Sequence, residues 1–253
     1  MQELAFDTLG SGPAVVLIHG TGSTPEGTWG SFPQELARTH RVILPHLPGT
    51  GQSPLPEGPL DGAAVARQIA DAASRAGAER FAVAGASLGG PLAVKTAALF
   101  PDRVTHLVSV CGYAAARPSL RLREELFEAV LPLGPQAVGK LLLVFGMSDP
   151  TAAALPGEAL ESMTEAIGGG LAPGTREQIV LARTVDVTAD LASVTAPALV
   201  VSGLQDNFVA PAHSTLLADG IPGARLLELD GGHGLVHERT AEVLTAVRDL
   251  LAR

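Results

Sequence analysis

The stretch "FAVAGASLGG", Phe81–Gly90, decides how this chain is read. It begins as an apolar run and ends in glycines, with a single hydroxyl, Ser87, between them. Gly85, Ser87 and Gly89 satisfy G-x-S-x-G. In a chain with 29 glycines that pattern alone says little, so its context must carry it. A strand-like run precedes it (80–85) and a helical pattern follows it (88–100). A sharp strand-to-helix turn forces its middle residue into strained backbone, and glycines on either side remove side chains that would clash there. The turn would lift the Ser87 hydroxyl off the C-terminal edge of a sheet. It would also set it at a helix N-terminus, where free N–H groups and the dipole favour developing negative charge. On this reading Ser87 is a nucleophile; the competing reading is a glycine-rich turn with an inert serine.

The surrounding pattern supplies the sheet. Apolar runs rich in Val, Ile and Leu occur at about 3–8, 13–18, 40–45, 80–85, 104–110, 197–202 and 224–229. They do not alternate with polar residues, which suits strands buried on both faces. Helical patterns lie between them at about 29–38, 60–76, 88–100, 211–219 and 237–252. In the last, Val243, Leu244, Val247, Leu250 and Leu251 share one stripe. Strands alternating with helices imply an α/β fold with a mostly parallel sheet covered on both faces. Residues 112–196 break the alternation with four helical patterns, near 119–131, 135–146, 157–168 and 173–183, separated by prolines and glycines. That span is too long for a loop and reads as a helical lid inserted into a core made of 1–111 and 197–253.

Composition narrows the function classes. The chain has 253 residues, 46% of them hydrophobic and 4% aromatic, so its core is built from Ala, Val and Leu. A net charge of −9 argues against nucleic acid and anionic membrane, and no basic cluster appears. One cysteine, Cys111, cannot form an intrachain disulfide. There is no signal-peptide pattern and no apolar run of the ~18 residues a membrane helix needs. The expectation is a cytoplasmic protein with a small-molecule partner; a homodimer is left open.

A serine nucleophile needs a base. "LELDGGHGLVHE" offers His233 in a Gly-flanked loop just beyond a strand. His237 lies four residues on, but no third ligand has suitable spacing and HExxH is absent, so no metal is expected. The orienting carboxylate is expected at Asp206 in "PALVVSGLQDNFVAP", after a strand and before a helix opened by Pro211. Its rival, Asp149 in "LLLVFGMSDP", follows a run that echoes "LVVSGLQD" but falls inside the lid. The order Ser, Asp, His is that of the nucleophile-elbow hydrolases. "VVLIHGTGST" places His19, Gly20, Thr21 and Gly22 directly after a buried strand, where backbone can approach a substrate oxygen closely. The N–H groups of Thr21 and Leu88 are then the expected oxyanion donors. The same stretch fails as a nucleotide loop, since its G-x-G-x-x-G is incomplete and no Lys follows. No cofactor is called for.

Taken together, "HGTG", "LPGTGQS" (47–53), "GASLGG", "SGLQDNFVAP" and "GGHGLVHE" make the chain resemble the α/β-hydrolase superfamily over nearly its whole length. The subgroup it is most similar to is the small capped esterases, lactonases and carbon–carbon hydrolases. The resemblance implies a Ser87–His233–Asp206 triad, an oxyanion hole from the Thr21 and Leu88 backbone, a sheet of about eight strands and a helical cap. It further implies a serine hydrolase acting on an ester, thioester or lactone. Carbon–carbon cleavage, or lactonisation and acyl transfer, is an alternative on the same triad, and a hydrolase-fold ligand receptor is the alternative outside catalysis. Epoxide hydrolases and haloalkane dehalogenases use an aspartate nucleophile, which Ser87 argues against. Ala86 replaces the Asn that carbon–carbon hydrolases often carry before the serine. His46 stands where the family often has Asp, and reads as a surface substitution. Cys111 and Tyr113 read as a buried small residue and a packed ring. Leu126, Phe127, Leu143, Phe145 and Met147 are the expected apolar lining from the lid.

Overall fold

The computed structural model describes residues 2–253. Seven strands form one sheet: β1 (Phe6–Leu9), β2 (Ala14–Ile18), β3 (Arg41–Pro45), β4 (Phe81–Ala86), β5 (Val104–Val110), β6 (Ala198–Gly203) and β7 (Arg225–Leu229). Their order is β1-β3-β2-β4-β5-β6-β7, all parallel except β1, which runs antiparallel on β3. The seven apolar runs of the sequence account for the whole sheet, so the expected count of about eight strands falls by one. Both faces are buried, as the unbroken apolar runs require. Val16 and Ile18 of β2 enter one core, Val15 and Leu17 the other. Burying each such side chain contributes about 1.5–3 kcal/mol.

The helices are α1 (Pro25–Trp29), α2 (Phe32–Leu36), α3 (Gly62–Arg75), α4 (Gly89–Leu99), α5 (Pro118–Val130), α6 (Pro135–Gly146), α7 (Asp149–Ala154), α8 (Gly157–Gly169), α9 (Thr175–Thr184), α10 (Pro211–Gly220), α11 (Leu235–Glu238) and α12 (Thr240–Leu251). Small residues let α3 pack closely: Ala70 and Ala73 are both buried in the core it shares with Ala93 and Ala97 of α4. The helix expected over 29–38 is the shorter α2, and α1 is an additional short helix before it, ended by Gly30 at a φ of 52°. The expected terminal helix is split, at Arg239. Helices α5 to α9 all fall between β5 and β6, within 112–196, and the run "LLLVFG" that echoed a strand is the end of α6. Among the described residues no helix is long and apolar enough to cross a membrane.

The sheet order sets the place of the site. The chain leaves β2 for β3 on one side and returns to β4 on the other. The C-terminal ends of β2 and β4 therefore lie side by side where the winding reverses. In parallel sheets ligands bind at that crevice.

Candidate active site

Ser87 leaves the end of β4 with φ 54°, one of two non-glycine residues in the left-handed region among the described residues. A side chain on a β-carbon pays in strain there, and the surroundings over-determine it. Its N–H donates to Val110 O (3.0 Å) and its carbonyl accepts from Gly90 N (2.8 Å). The flanking glycines are required by contact: a Cβ on Gly85 would collide with the Gly89 carbonyl, and one on Gly89 with the Ile18 carbonyl. The G-x-S-x-G pattern is thus a packing constraint of the β4–α4 turn, with α4 starting two residues past the serine.

His233 follows β7, and Asp206 follows β6. The Ser87 hydroxyl lies 3.0 Å from His233 Nε2, and His233 Nδ1 lies 2.7 Å from Asp206 Oδ2. The tautomer with the proton on Nδ1 satisfies both contacts, donating to the carboxylate and accepting from the serine. Asp206 is buried, and its other oxygen accepts from the N–H groups of Phe208 (2.9 Å) and Val209 (2.7 Å). Phe208 in turn lies against the imidazole (centroids 5.3 Å apart) and Phe145 of α6 stands edge-on to Phe208 (6.0 Å). Asp149 is exposed in the first turn of α7. The structure therefore brings Ser87, His233 and Asp206 together and leaves the rival acid outside.

The β2–α1 loop faces Ser87. Its amides have assigned partners: Gly20 N–H donates to Thr28 Oγ1 (3.1 Å), Gly22 N–H to Gln178 Oε1 (2.8 Å) and Ser23 N–H to Gly20 O (3.3 Å). The N–H groups of Thr21 and Leu88 have no acceptor among the described residues. A cavity of about 170 Å³ opens in front of Ser87, with Gly20, Thr21 and His233 on one side and Phe127 and Leu142 on the other. Among the expected lid residues only Phe127 lines it. Leu126, one position away, is 44% exposed; Leu142 takes the place expected of Leu143; Phe145 packs on Phe208; Met147 stays outside the lining.

Two supports escaped the sequence. His19 is fully buried; its Nδ1–H donates to Gly20 O (2.9 Å) and its Nε2 accepts from Leu47 N–H (3.0 Å). Burial, outweighing the bond to Gly20, pushes its pKa down to about 4, so it is a neutral strut beneath the loop. Gln178 of α9 is also fully buried. Besides holding Gly22, its amide donates to Pro48 O (2.9 Å) and Thr50 Oγ1 (3.0 Å). One side chain from the inserted helices thereby ties the "HGTG" and "LPGTGQS" loops together. The available signal was a glutamine on the buried face of α9, beside Thr175, Ile179 and Ala182. Glu238 ties the helices on the other side: it accepts from Ser148 N–H (3.1 Å), just before α7, and from Gly232 N–H (3.2 Å), next to His233.

The remaining singled-out residues have structural partners. Cys111, at φ 49° past β5, is buried, and its Sγ lies 3.9 Å from Gly232 O. Its Sγ, an Asp206 oxygen and a His233 nitrogen fall within 4.8 Å of one another. Burial, then the Asp206 charge, raises the thiol well above its usual range. A thiol held protonated is a poor metal ligand, and the other two groups are bonded to each other. His237 donates to Gly27 O (3.0 Å), away from His233's partners. His46 is bonded to Asp7 on the antiparallel edge strand (2.8 Å). Tyr113 is buried and donates to Ala182 O (3.0 Å).

Known proteins agree with this architecture. A family model described as the alpha/beta hydrolase fold matches residues 13–240. A protein of Azorhizobium caulinodans with the provisional name carbamate hydrolase RutD is 33% identical over 234 residues, covering 91% of this chain and 87% of that one. A pyrrolizixenacetamide deacetylase of Xenorhabdus hominickii is 25% identical, covering 98% and 94%. Among solved structures, a thermophilic esterase from Thermogutta terrifontis superposes with a TM-score of 0.84 at 27% identity, covering 98% of this chain and 93% of that one. The enol-lactonase of Burkholderia xenovorans (TM-score 0.86, 23% identity, covering 99% and 96%) shares the fold.

Proposed function

The chain belongs to the α/β-hydrolase family, and on that premise we propose that it is a serine hydrolase cleaving a carboxylic ester, thioester or lactone through an acyl-enzyme on Ser87. The observation that carries this reading is the unbroken chain from Ser87 Oγ through His233 to the buried Asp206 carboxylate, with the Thr21 and Leu88 N–H groups left without an acceptor among the described residues. Ser87 Oγ attacks the carbonyl carbon while His233 Nε2 takes its proton. Asp206 holds the imidazole tautomer and stabilises the imidazolium. The carbonyl oxygen, now carrying the negative charge, receives the Thr21 and Leu88 N–H groups; each such donor is worth about 3 kcal/mol in the transition state. His233 returns the proton to the departing alcohol or thiol, then takes one from water, which releases the acid and frees Ser87.

In this reading the helices of 112–196 form a cap whose Phe127 and Leu142 close the acyl side. The cavity of about 170 Å³ lies below the ~300–1,000 Å³ usual for drug-sized ligands, which favours a short acyl group. A small-molecule substrate and a cytoplasmic location complete the proposal.

The test is hydrolysis of p-nitrophenyl acetate, butyrate and octanoate by wild type and Ser87→Ala, with a fluorophosphonate probe on Ser87. The expected result is turnover of acetate and butyrate above octanoate, lost with Ser87. An unlabelled Ser87 and equal rates in both proteins would sink the acyl-enzyme. An anilide and a carbamate in the same assay separate ester cleavage from the carbamate hydrolysis and deacetylation that the names of two relatives carry.

A further inference from the structure

A second cavity, of about 330 Å³, lies between the 114–117 segment, the 188–192 turn and α10. It shares no lining residue with the cavity at Ser87. Its walls are mostly apolar, from Ala114, Leu191, Ala192 and Leu216; Thr188 lines it as well, and two ionisable side chains face it. One is His213, which is 3% exposed, stands edge-on to the Tyr113 ring, and makes no side-chain hydrogen bond among the described residues. A buried imidazole without a partner is costly, and a ligand could supply the missing bond. The other is Arg117, an exposed guanidinium at the rim whose side chain neither ion-pairs nor hydrogen-bonds among the described residues.

The nearby charges favour an anion. Arg117 and Arg123 both act on His213 as cations, and burial together with them holds its pKa below the usual histidine value, so it is neutral at pH 7. Neutral imidazole offers one donor and one acceptor. Asp206 is the one acid acting on it, and that carboxylate is committed to His233 and two backbone amides. The acids of the 186–190 turn are committed as well: Asp186 to the Thr188 N–H, Asp190 to Lys95. Arg117 is thus the charged side chain that lines this apolar hollow.

We propose that this cavity is a second small-molecule site, for a carboxylate with a short apolar body: the carboxylate meets Arg117, the body lies against Leu191 and Leu216, and His213 completes the hydrogen bonding. The inference stands apart from the chemistry at Ser87.

The experiment is a titration of the full-length protein with hexanoate, and separately hexan-1-ol, followed by backbone amide chemical shifts. Ala115, Ala192 and Leu216 report the second cavity; Thr21, Leu88 and Gly234 report the Ser87 site. The expected result is a saturable response of the first group to hexanoate, about tenfold weaker in Arg117→Gln, as for loss of a charge-assisted hydrogen bond. Hexan-1-ol should bind more weakly and ignore that change. His213→Leu should also weaken hexanoate; Arg117→Gln, at an exposed position, keeps the test valid if the buried replacement unfolds. No response at Ala115, Ala192 and Leu216, or equal hexanoate affinity in Arg117→Gln, overturns the proposal.

Discussion

The sheet core and the inserted helices contribute to one site by different physical means. In the core, Thr21, Ser87, Asp206 and His233 each sit just past a strand end. Parallel register fixes those ends relative to one another, so the reacting atoms are placed by backbone. The helices of 112–196 contribute side chains instead: Phe127 and Leu142 as wall, Phe145 against Phe208, Gln178 as a clamp on two loops. Position in the core is held by ladder bonds up to each strand end; the helices act through individual side chains. The two regions should therefore answer mutation differently, the core by loss of chemistry and the helices by graded loss of orientation or fit.

The largest expected effect tests the core. Ser87→Ala should lower kcat by roughly 10⁴- to 10⁶-fold on p-nitrophenyl butyrate, with the fold unchanged by circular dichroism. A loss under tenfold would remove the serine from the chemistry. The next effect joins the two regions. Gln178→Met keeps the volume and deletes the bonds to Gly22, Pro48 and Thr50. It should lower kcat by roughly 10- to 100-fold with KM within twofold, because the loop that presents the Thr21 amide is no longer pinned. Affinity for a boronic acid that mimics the tetrahedral species should fall in parallel, while labelling of Ser87 persists. If kcat stays within twofold, the helices supply wall and nothing more. Third, Phe127→Ala should lengthen the acyl side and raise the octanoate-to-butyrate ratio of kcat/KM about tenfold, with acetate little changed. An unchanged ratio would place the acyl group elsewhere.

Legibility followed the same division. Ser87, His233 and Asp206 could be read because strand-end turns have strong local rules: glycines that avoid backbone collision at 85 and 89, and a proline opening α10. The element count was nearly complete for the same reason, and the errors came at helices too short to show a period, such as the five-residue α1 that Gly30 ends. The inserted helices obey weaker rules. Four of the seven large hydrophobics most exposed in the chain, Leu122, Leu126, Leu133 and Val144, lie in this roughly one-third of it. Apolarity there does not sort inside from outside, which is why Leu126 read as lining and faces solvent. Gln178 and His19 act through buried hydrogen bonds across 156 and 28 positions of sequence, a separation no local pattern encodes.

The last prediction leaves activity aside and sets core against helices in pH dependence of stability. Glu124 of α5 is buried with one carboxyl oxygen unpartnered, and burial, only partly offset by Arg183, raises its pKa to about 8. The folded chain keeps that proton while the unfolded carboxyl loses it above about 4.5, so Glu124 costs stability as pH rises from 4.5 to 8. His19 has the opposite sign: with its folded pKa at about 4, its contribution is complete above 6.5 and is lost as pH falls from 6.5 to 4. Between 4.5 and 6.5 the two slopes oppose each other; from 6.5 to 8 Glu124 acts against a constant His19. In that upper window Glu124→Gln should gain stability relative to wild type by at most about 1.4 kcal/mol per pH unit, measured by urea unfolding at pH 6.5, 7.25 and 8. His19→Asn should instead flatten the decline between pH 6.5 and 4, whatever it costs in total stability. Parallel profiles for wild type and Glu124→Gln above pH 6.5 would mean that the carboxyl is ionised in the folded chain, with Arg183 rather than burial setting its state.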